Sequence, residues 1–273
     1  ETGLNTLFVC KSSWLRHYLT TRFQNERLVI ATISSVGNAL RRSGLDTFDA
    51  LIVDEGQDLM NYRDLQLLDS VLAGGFDDGQ WYFFHDSNNQ ANLLDELEIG
   101  AFEWLKSKNN PTILPLNVNC RNTSNILKSV QKELTCDVGV PTLADGPEVI
   151  EFISDKESSV EELNKLIIEL TDSELMPGAV TILSSRSIRK SIVSELPKET
   201  RKLISELDDY QVRKLPFEGI TFSHIKDFKG LENDVIVLVD LVHPSKITKD
   251  GSKALHYVGM TRARAMLYCF WSA

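Results

Sequence analysis

Apolar residues in this chain fall into short unbroken runs, and between the runs they recur at helical spacing. Residues 7–10 (Leu-Phe-Val-Cys) read as a buried strand, after which Trp14, Leu15, Tyr18 and Leu19 follow the i, i+3/i+4 pattern of one helix face. Residues 28–31 form a second strand that ends at Thr32 and Ser35, and residues 49–53 form a third. Leu65, Leu68 and Leu72 mark another helix face, which Gly74-Gly75 is expected to end because glycine tolerates left-handed backbone. A fourth strand, 81–84, runs into His85, Asp86 and a polar turn. The polar, turn-rich stretch 107–111 predicts a boundary.

A second alternating series follows. Residues 149–153 read as a strand, and Val160, Leu163, Ile167 and Leu170 as a helical stripe. Pro177-Gly178 punctuates before strand 180–183, and the polar stretch 221–232 reads as a loop before the fully apolar strand 235–239. A helix is expected over 255–265 and a closing strand over 266–271. Strand alternating with helix predicts an α/β fold of two lobes, 1–110 and 111–273, each with a mainly parallel sheet covered by helices.

Composition narrows the function only slightly. At 273 residues and 42% hydrophobic content, the chain can build one large or two ordinary cores. With 39 acidic against 29 basic residues its net charge is -10, so nucleic acid would need a local basic groove rather than the general field. No apolar stretch approaches the ~20 residues that cross a bilayer, so no membrane partner is expected and the cytoplasm is the expected compartment. Cys10, Cys120, Cys136 and Cys269 stand singly, without a CxxC pair, and read as separate reduced thiols.

The densest chemistry is in residues 51–58, Leu-Ile-Val-Asp-Glu-Gly-Gln-Asp. A hydrophobic strand stops at adjacent carboxylates, at the sheet edge where open α/β sheets bind ligands. Asp54 would hold Mg²⁺, which keeps several waters and needs only one or two carboxylates, and Glu55 would orient or deprotonate water. Gln57 and Asp58 could tie this site to neighbouring loops. Asp86 and Gln90 follow the next strand, and an amide there can position water or sense a phosphate. Arg121, in 119–123 (Asn-Cys-Arg-Asn-Thr), and Arg262 are candidates for phosphate charge; Arg264, two positions on, should serve a different partner, by packing or a salt bridge. In 221–232, Lys229-Gly230 offers charge beside an approachable backbone, Glu232 could accept from a ribose hydroxyl, and Thr221, Ser223 and His224 could meet a sugar–phosphate chain. Trp14 and Tyr18 could stack on bases or pack on the sheet, and Tyr257 could touch nucleotide or core.

Taken in order, segments 8–19, 31–35, 54–58, 86–90, 119–123, 221–232 and 257–264 resemble superfamily 1 helicases of the UvrD/Rep/PcrA type across nearly the whole chain. The run at Asp54 resembles that family's Walker B motif, and the last three segments its motifs IV, V and VI. The resemblance implies two RecA-like P-loop NTPase lobes that use ATP and Mg²⁺ to move along single-stranded nucleic acid, DNA ahead of RNA. It implies Mg²⁺ on Asp54, catalysis by Glu55 with Gln90, Arg121 and Arg262, and nucleotide contacts from Lys229, Gly230, Glu232 and Tyr257. Lys11, Trp14, Thr32, Ser35, Thr221 and His224 would lie along the nucleic-acid track.

Three departures qualify the resemblance. The glycine-rich Walker A loop is not in these residues and is expected upstream of Glu1, which makes the chain a fragment. His85 stands where the family has glycine, and the large inserts of bigger relatives are missing. The competing expectation is an inactive helicase-like module that works with a protein partner or a fused nuclease.

Overall fold

The computed structural model describes residues 3–86, 98–176, 178–214, 217–247 and 250–272. The chain divides into two compact units, Glu1–Pro115 and Leu116–Ala273. That division falls beyond the expected 110/111 boundary, after a second proline.

The first unit contains β1 (Thr6–Cys10), α1 (Ser13–Arg22), β2 (Leu28–Thr32), α2 (Val36–Ser43), β3 (Ala50–Val53), α3 (Tyr62–Val71), α4 (Gly75–Asp78), β4 (Gln80–Phe83) and α5 (Ile99–Lys106). Its strands pair in the order β2-β1-β3-β4, all parallel. Val9 lies opposite both Ala31 and Val53, and Val53 lies opposite Phe83. The chain therefore leaves all four strands at one sheet edge, which collects Cys10, Thr32, Asp54 and Phe84.

Side-chain caps start two of the helices. Ser12 Oγ accepts from the Leu15 amide at 3.2 Å, and Asn61 Oδ1 from the Asp64 amide at 2.9 Å. Leu7, Leu51, Phe48, Leu65, Leu68 and Phe76 fill the core, each buried side chain contributing about 1.5–3 kcal/mol. Gly74-Gly75 acts differently from expectation. Helix α3 ends at Val71, and Gly74, at φ 78°, is the N-cap of the single turn α4.

The second unit contains β5 (Val118–Asn119), α6 (Ser124–Leu134), β6 (Val140–Pro141), β7 (Ile150–Ser154), α7 (Lys156–Asp172), β8 (Val180–Ser184), α8 (Lys198–Arg201), β9 (Ile204–Glu206), β10 (Ile220–His224), β11 (Asn233–Val242), α9 (Asp250–Thr261) and β12 (Ala263–Ser272). Six strands form a parallel sheet in the order β7-β12-β11-β8-β10-β9. Val235, Val237 and Val239 join Leu163, Ile167 and Phe270 in one core. On α9, a Cβ added to Gly259 would lie 2.9 Å from Leu238 Cδ2, so glycine lets the helix sit close to the alternate side chains of β11. Burial on both faces explains the unbroken apolar run.

Two expectations fail here. The start of the supposed loop 221–232 is an interior strand, β10, whose Thr221 hydroxyl is matched across the sheet by Thr181 Oγ1 at 2.8 Å. The expected helix over 255–265 stops at Thr261, and the chain turns directly into β12. Among the described residues no helix is long and apolar enough to cross a membrane, and the four cysteines are free thiols.

Candidate functional site

In the first unit the ladder runs one residue past β3, where the Asp54 amide donates to Val9 carbonyl at 3.0 Å. Asp54 Oδ1 accepts the Glu55 amide at 2.9 Å. Glu55 itself is left-handed, at φ 52° and ψ 42°, a conformation that costs a non-glycine residue about 1–3 kcal/mol and persists where the surroundings impose it. Gly56 is part of that constraint: its amide donates to Phe84 carbonyl at 2.8 Å, and an added Cβ would lie 3.0 Å from the Phe83 ring.

Gln57, only 2% exposed, completes the clamp. Its Nε2 donates to Glu55 Oε2 at 2.6 Å, while its Oε1 accepts the Asp86 amide at 2.9 Å. One buried amide thus fixes the Glu55 carboxylate and the loop after β4 together. Burial, reinforced by the Asp54 charge, pushes the Cys10 thiol up to about 12, so this neighbour is a neutral wall. Burial likewise lowers the His85 pKa, opposed by the Asp86 charge.

No group of three His, Cys, Asp or Glu side chains able to hold a metal exists among the described residues. Two half-buried carboxylates beside each other do suit an Mg²⁺ that arrives with its own waters and a nucleotide. Gln90 lies outside the described residues. Lys11 and Trp14 are partly buried and engaged. The hydroxyls of Thr32 and Ser35 meet at 3.0 Å, and Ser35 Oγ also bonds the Thr32 backbone, so both serve the turn into α2.

In the second unit Arg121 is exposed, and its Nε donates to Glu232 Oε2 at 2.7 Å. Arg264 also approaches Glu232, and its Nε lies 3.4 Å from Asp234 Oδ1. Arg262 is 1% exposed, with its guanidinium turned to the carbonyls of Val258 and Leu231 at 3.2 and 3.3 Å. The residue that joins these arginines carries no mark in the sequence. Asn122 is wholly buried, and its Nδ2 donates to the carbonyls of Thr261 and Ala263, the two residues flanking Arg262, at 3.0 and 2.6 Å. The Thr123 amide adds a bond to Arg264 carbonyl at 3.1 Å. Arg121 and Arg262 therefore belong to one braced segment pair.

The remaining residues of this unit are more internal than their polarity suggests. Lys229 is buried and engaged, and Gly230 has φ 85°, a conformation glycine adopts readily. Tyr257 is half-buried, with its carbonyl accepting the Thr261 hydroxyl. Thr221 lies 2% exposed within β10, where its hydroxyl meets Thr181 Oγ1 at 2.8 Å and the Val180 carbonyl at 3.3 Å. His224, half-buried at the end of β10, bonds Ser185 carbonyl through Nε2 at 2.9 Å while Nδ1 accepts the Lys226 amide.

No protein-family model matches this sequence, and no curated protein matches it. Among solved structures, the C-terminal domain of a possible DNA helicase from Lactobacillus plantarum WCFS1 is 14% identical. It covers 56% of this chain and 88% of its own, at a TM-score of 0.39, too loose to bear on the fold. An arterivirus helicase, nonstructural protein 10, is 13% identical and covers 99% of this chain at a TM-score of 0.52; this chain spans 54% of its length. The α/β architecture of mainly parallel sheets flanked by helices is thus shared with that structure.

Proposed function

We propose that the chain is the greater part of an ATP-driven superfamily 1 translocase or helicase that acts on single-stranded nucleic acid, DNA ahead of RNA. The observation that carries this reading is Glu55. A carboxylate forced into left-handed backbone at the carboxyl edge of a parallel sheet, and aimed by a buried amide, is preorganised for chemistry rather than for folding. When bound, Mg²⁺ would supply charge neutralisation on the phosphates, with Asp54 holding it. Glu55 would take the proton of the attacking water, and Gln57 would keep its carboxylate oriented while coupling it to the Asp86 loop.

Arg121 and Arg262 would compensate phosphate charge. Arg121 pairs with Glu232 near the surface, and an exposed pair is worth about 0–1 kcal/mol, so a phosphate can draw the guanidinium away at small cost. Arg262 is braced rather than mobile, which suits a group that must present charge at a fixed position.

Fluorescence anisotropy with labelled oligothymidine, oligouridine and a duplex of equal length tests the nucleic-acid part. The expected order is single-stranded DNA, then RNA, then duplex, with affinity falling steeply as salt rises. Tightest binding to duplex, or no binding to either single strand, would sink the proposal.

A further inference from the structure

The first unit holds a cavity of about 440 Å³ that neither Asp54 nor Glu55 lines; its walls are Arg16 of α1, the stretch 29–31 of β2, and Asn38, Ala39 and Arg42 of α2. This volume falls within the roughly 300–1,000 Å³ typical of small-molecule sites. Acids outnumber bases by 39 to 29 in the chain, yet the cavity has two guanidiniums and no carboxylate in its lining.

Several donors there are unspent. Arg16 Nε is buried without a hydrogen-bond partner among the described residues, and a buried charged donor left unpaired is costly. Among the described residues, the side-chain bond of Arg16 runs from Nη2 to His17 Nδ1 at 3.2 Å, which supplies no negative charge. Asn38 turns its Oδ1 to Arg41, which leaves its amide N–H groups as donors. The Ser35 and Ser43 hydroxyls are occupied by local backbone, so the arginines and Asn38 set the chemistry. Val29, Ile30, Ala31 and Ala39 supply the apolar part of the lining.

We infer that this cavity binds a phosphate monoester whose dianion sits between Arg16 and Arg42 and whose organic body lies on the β2 wall, as a nucleoside monophosphate would. Guanidinium forks match phosphate oxygens in a bidentate manner, and a dianion would satisfy the orphan Arg16 donor. Neither Asp54 nor Glu55 lines the cavity, whereas Ser35, which the resemblance sets along the nucleic-acid track, does.

Isothermal titration of the chain with AMP, adenosine and inorganic phosphate tests it. AMP should bind saturably, phosphate more weakly, and adenosine at least tenfold more weakly than AMP. Arg42→Ala, at an exposed position, should weaken AMP at least tenfold with an unchanged thermal midpoint, and Glu55→Gln should leave AMP binding intact. Equal binding of AMP and adenosine, indifference to Arg42→Ala, or loss of AMP binding in Glu55→Gln would each overturn the assignment. Competition identifies the source of the monoester. Displacement of AMP by a 5′-phosphorylated single strand, but not by its 5′-hydroxyl twin, points to a strand end; displacement by neither points to a free mononucleotide. Equal displacement by both would mean that backbone diesters are read, which contradicts the monoester assignment.

Discussion

Replacing Gln57 with leucine removes both arms of the amide clamp while nearly preserving side-chain volume. The bond to Glu55 Oε2, at 2.6 Å, involves an ionised acceptor and belongs to the class worth about 1.5–3 kcal/mol. The bond from the Asp86 amide, at 2.9 Å, is a neutral one of about 0.5–1.5 kcal/mol. Glu55 and Asp86 are both partly exposed and can recruit water, so the loss should fall at about 2–3 kcal/mol, as urea unfolding at pH 7 would measure.

Gln57→Glu adds a sharper control. It keeps an acceptor for the Asp86 amide but sets a second carboxyl against Glu55. That new carboxyl should titrate above its ordinary value, about 4.3. The unfolded chain then releases this proton at lower pH than the folded one, so stability is lost as pH rises through the ordinary carboxylate range. Gln57→Glu should sit near wild type at about pH 4 and fall progressively below it toward pH 7. A Gln57→Leu variant within about 0.5 kcal/mol of wild type, or a Gln57→Glu deficit independent of pH, would refute the clamp.

Other consequences are equally direct. Asn122→Ala deletes two buried bonds to the carbonyls flanking Arg262 and should cost about 2–4 kcal/mol by denaturant unfolding; a smaller loss would mean that the Arg262 turn is held by something else. Thr135 ends α6 as a β-branched residue at φ 49°, so Thr135→Gly should raise stability by about 1 kcal/mol in the same assay. Maleimide at pH 8 should label exposed Cys120 quickly and leave buried Cys10 and Cys269 unreacted until the chain unfolds, because a thiol pushed from 9.0 to about 12 holds about a thousandfold less thiolate.

How far the fold could be read from the residues depended on how each strand satisfies its polar groups. Strands β1, β3, β8 and β11 are apolar runs whose side chains need only burial, and the pattern exposes them. Strand β10 reads as a loop because Thr221 and Ser223 are polar, and only the cross-sheet contact with Thr181 shows how such a residue is buried without penalty. The carboxylate pair was legible from its position after β3. The left-handed backbone of Glu55 was not, since glutamate has no preference for it and the constraint comes from Gly56 and Gln57 against the β4 loop. The brace between Arg121 and Arg262 was hidden for a different reason: Asn122 reaches carbonyls 139 and 141 residues away, and nothing local marks an asparagine for that task.

The role proposed for Glu55 is that of a catalytic base in a nucleic-acid-driven motor. The most direct measurement joins the chain at its amino end to a strand and a Gly-x-x-x-x-Gly-Lys-Thr phosphate loop, then follows ATP hydrolysis with and without single-stranded DNA, beside a Glu55→Gln variant. Turnover stimulated by the single strand is expected, with a loss of about 10²–10⁴-fold in Glu55→Gln and ATP binding retained. Turnover that stays absent with every nucleic acid, or that survives Glu55→Gln undiminished, would rule that role out.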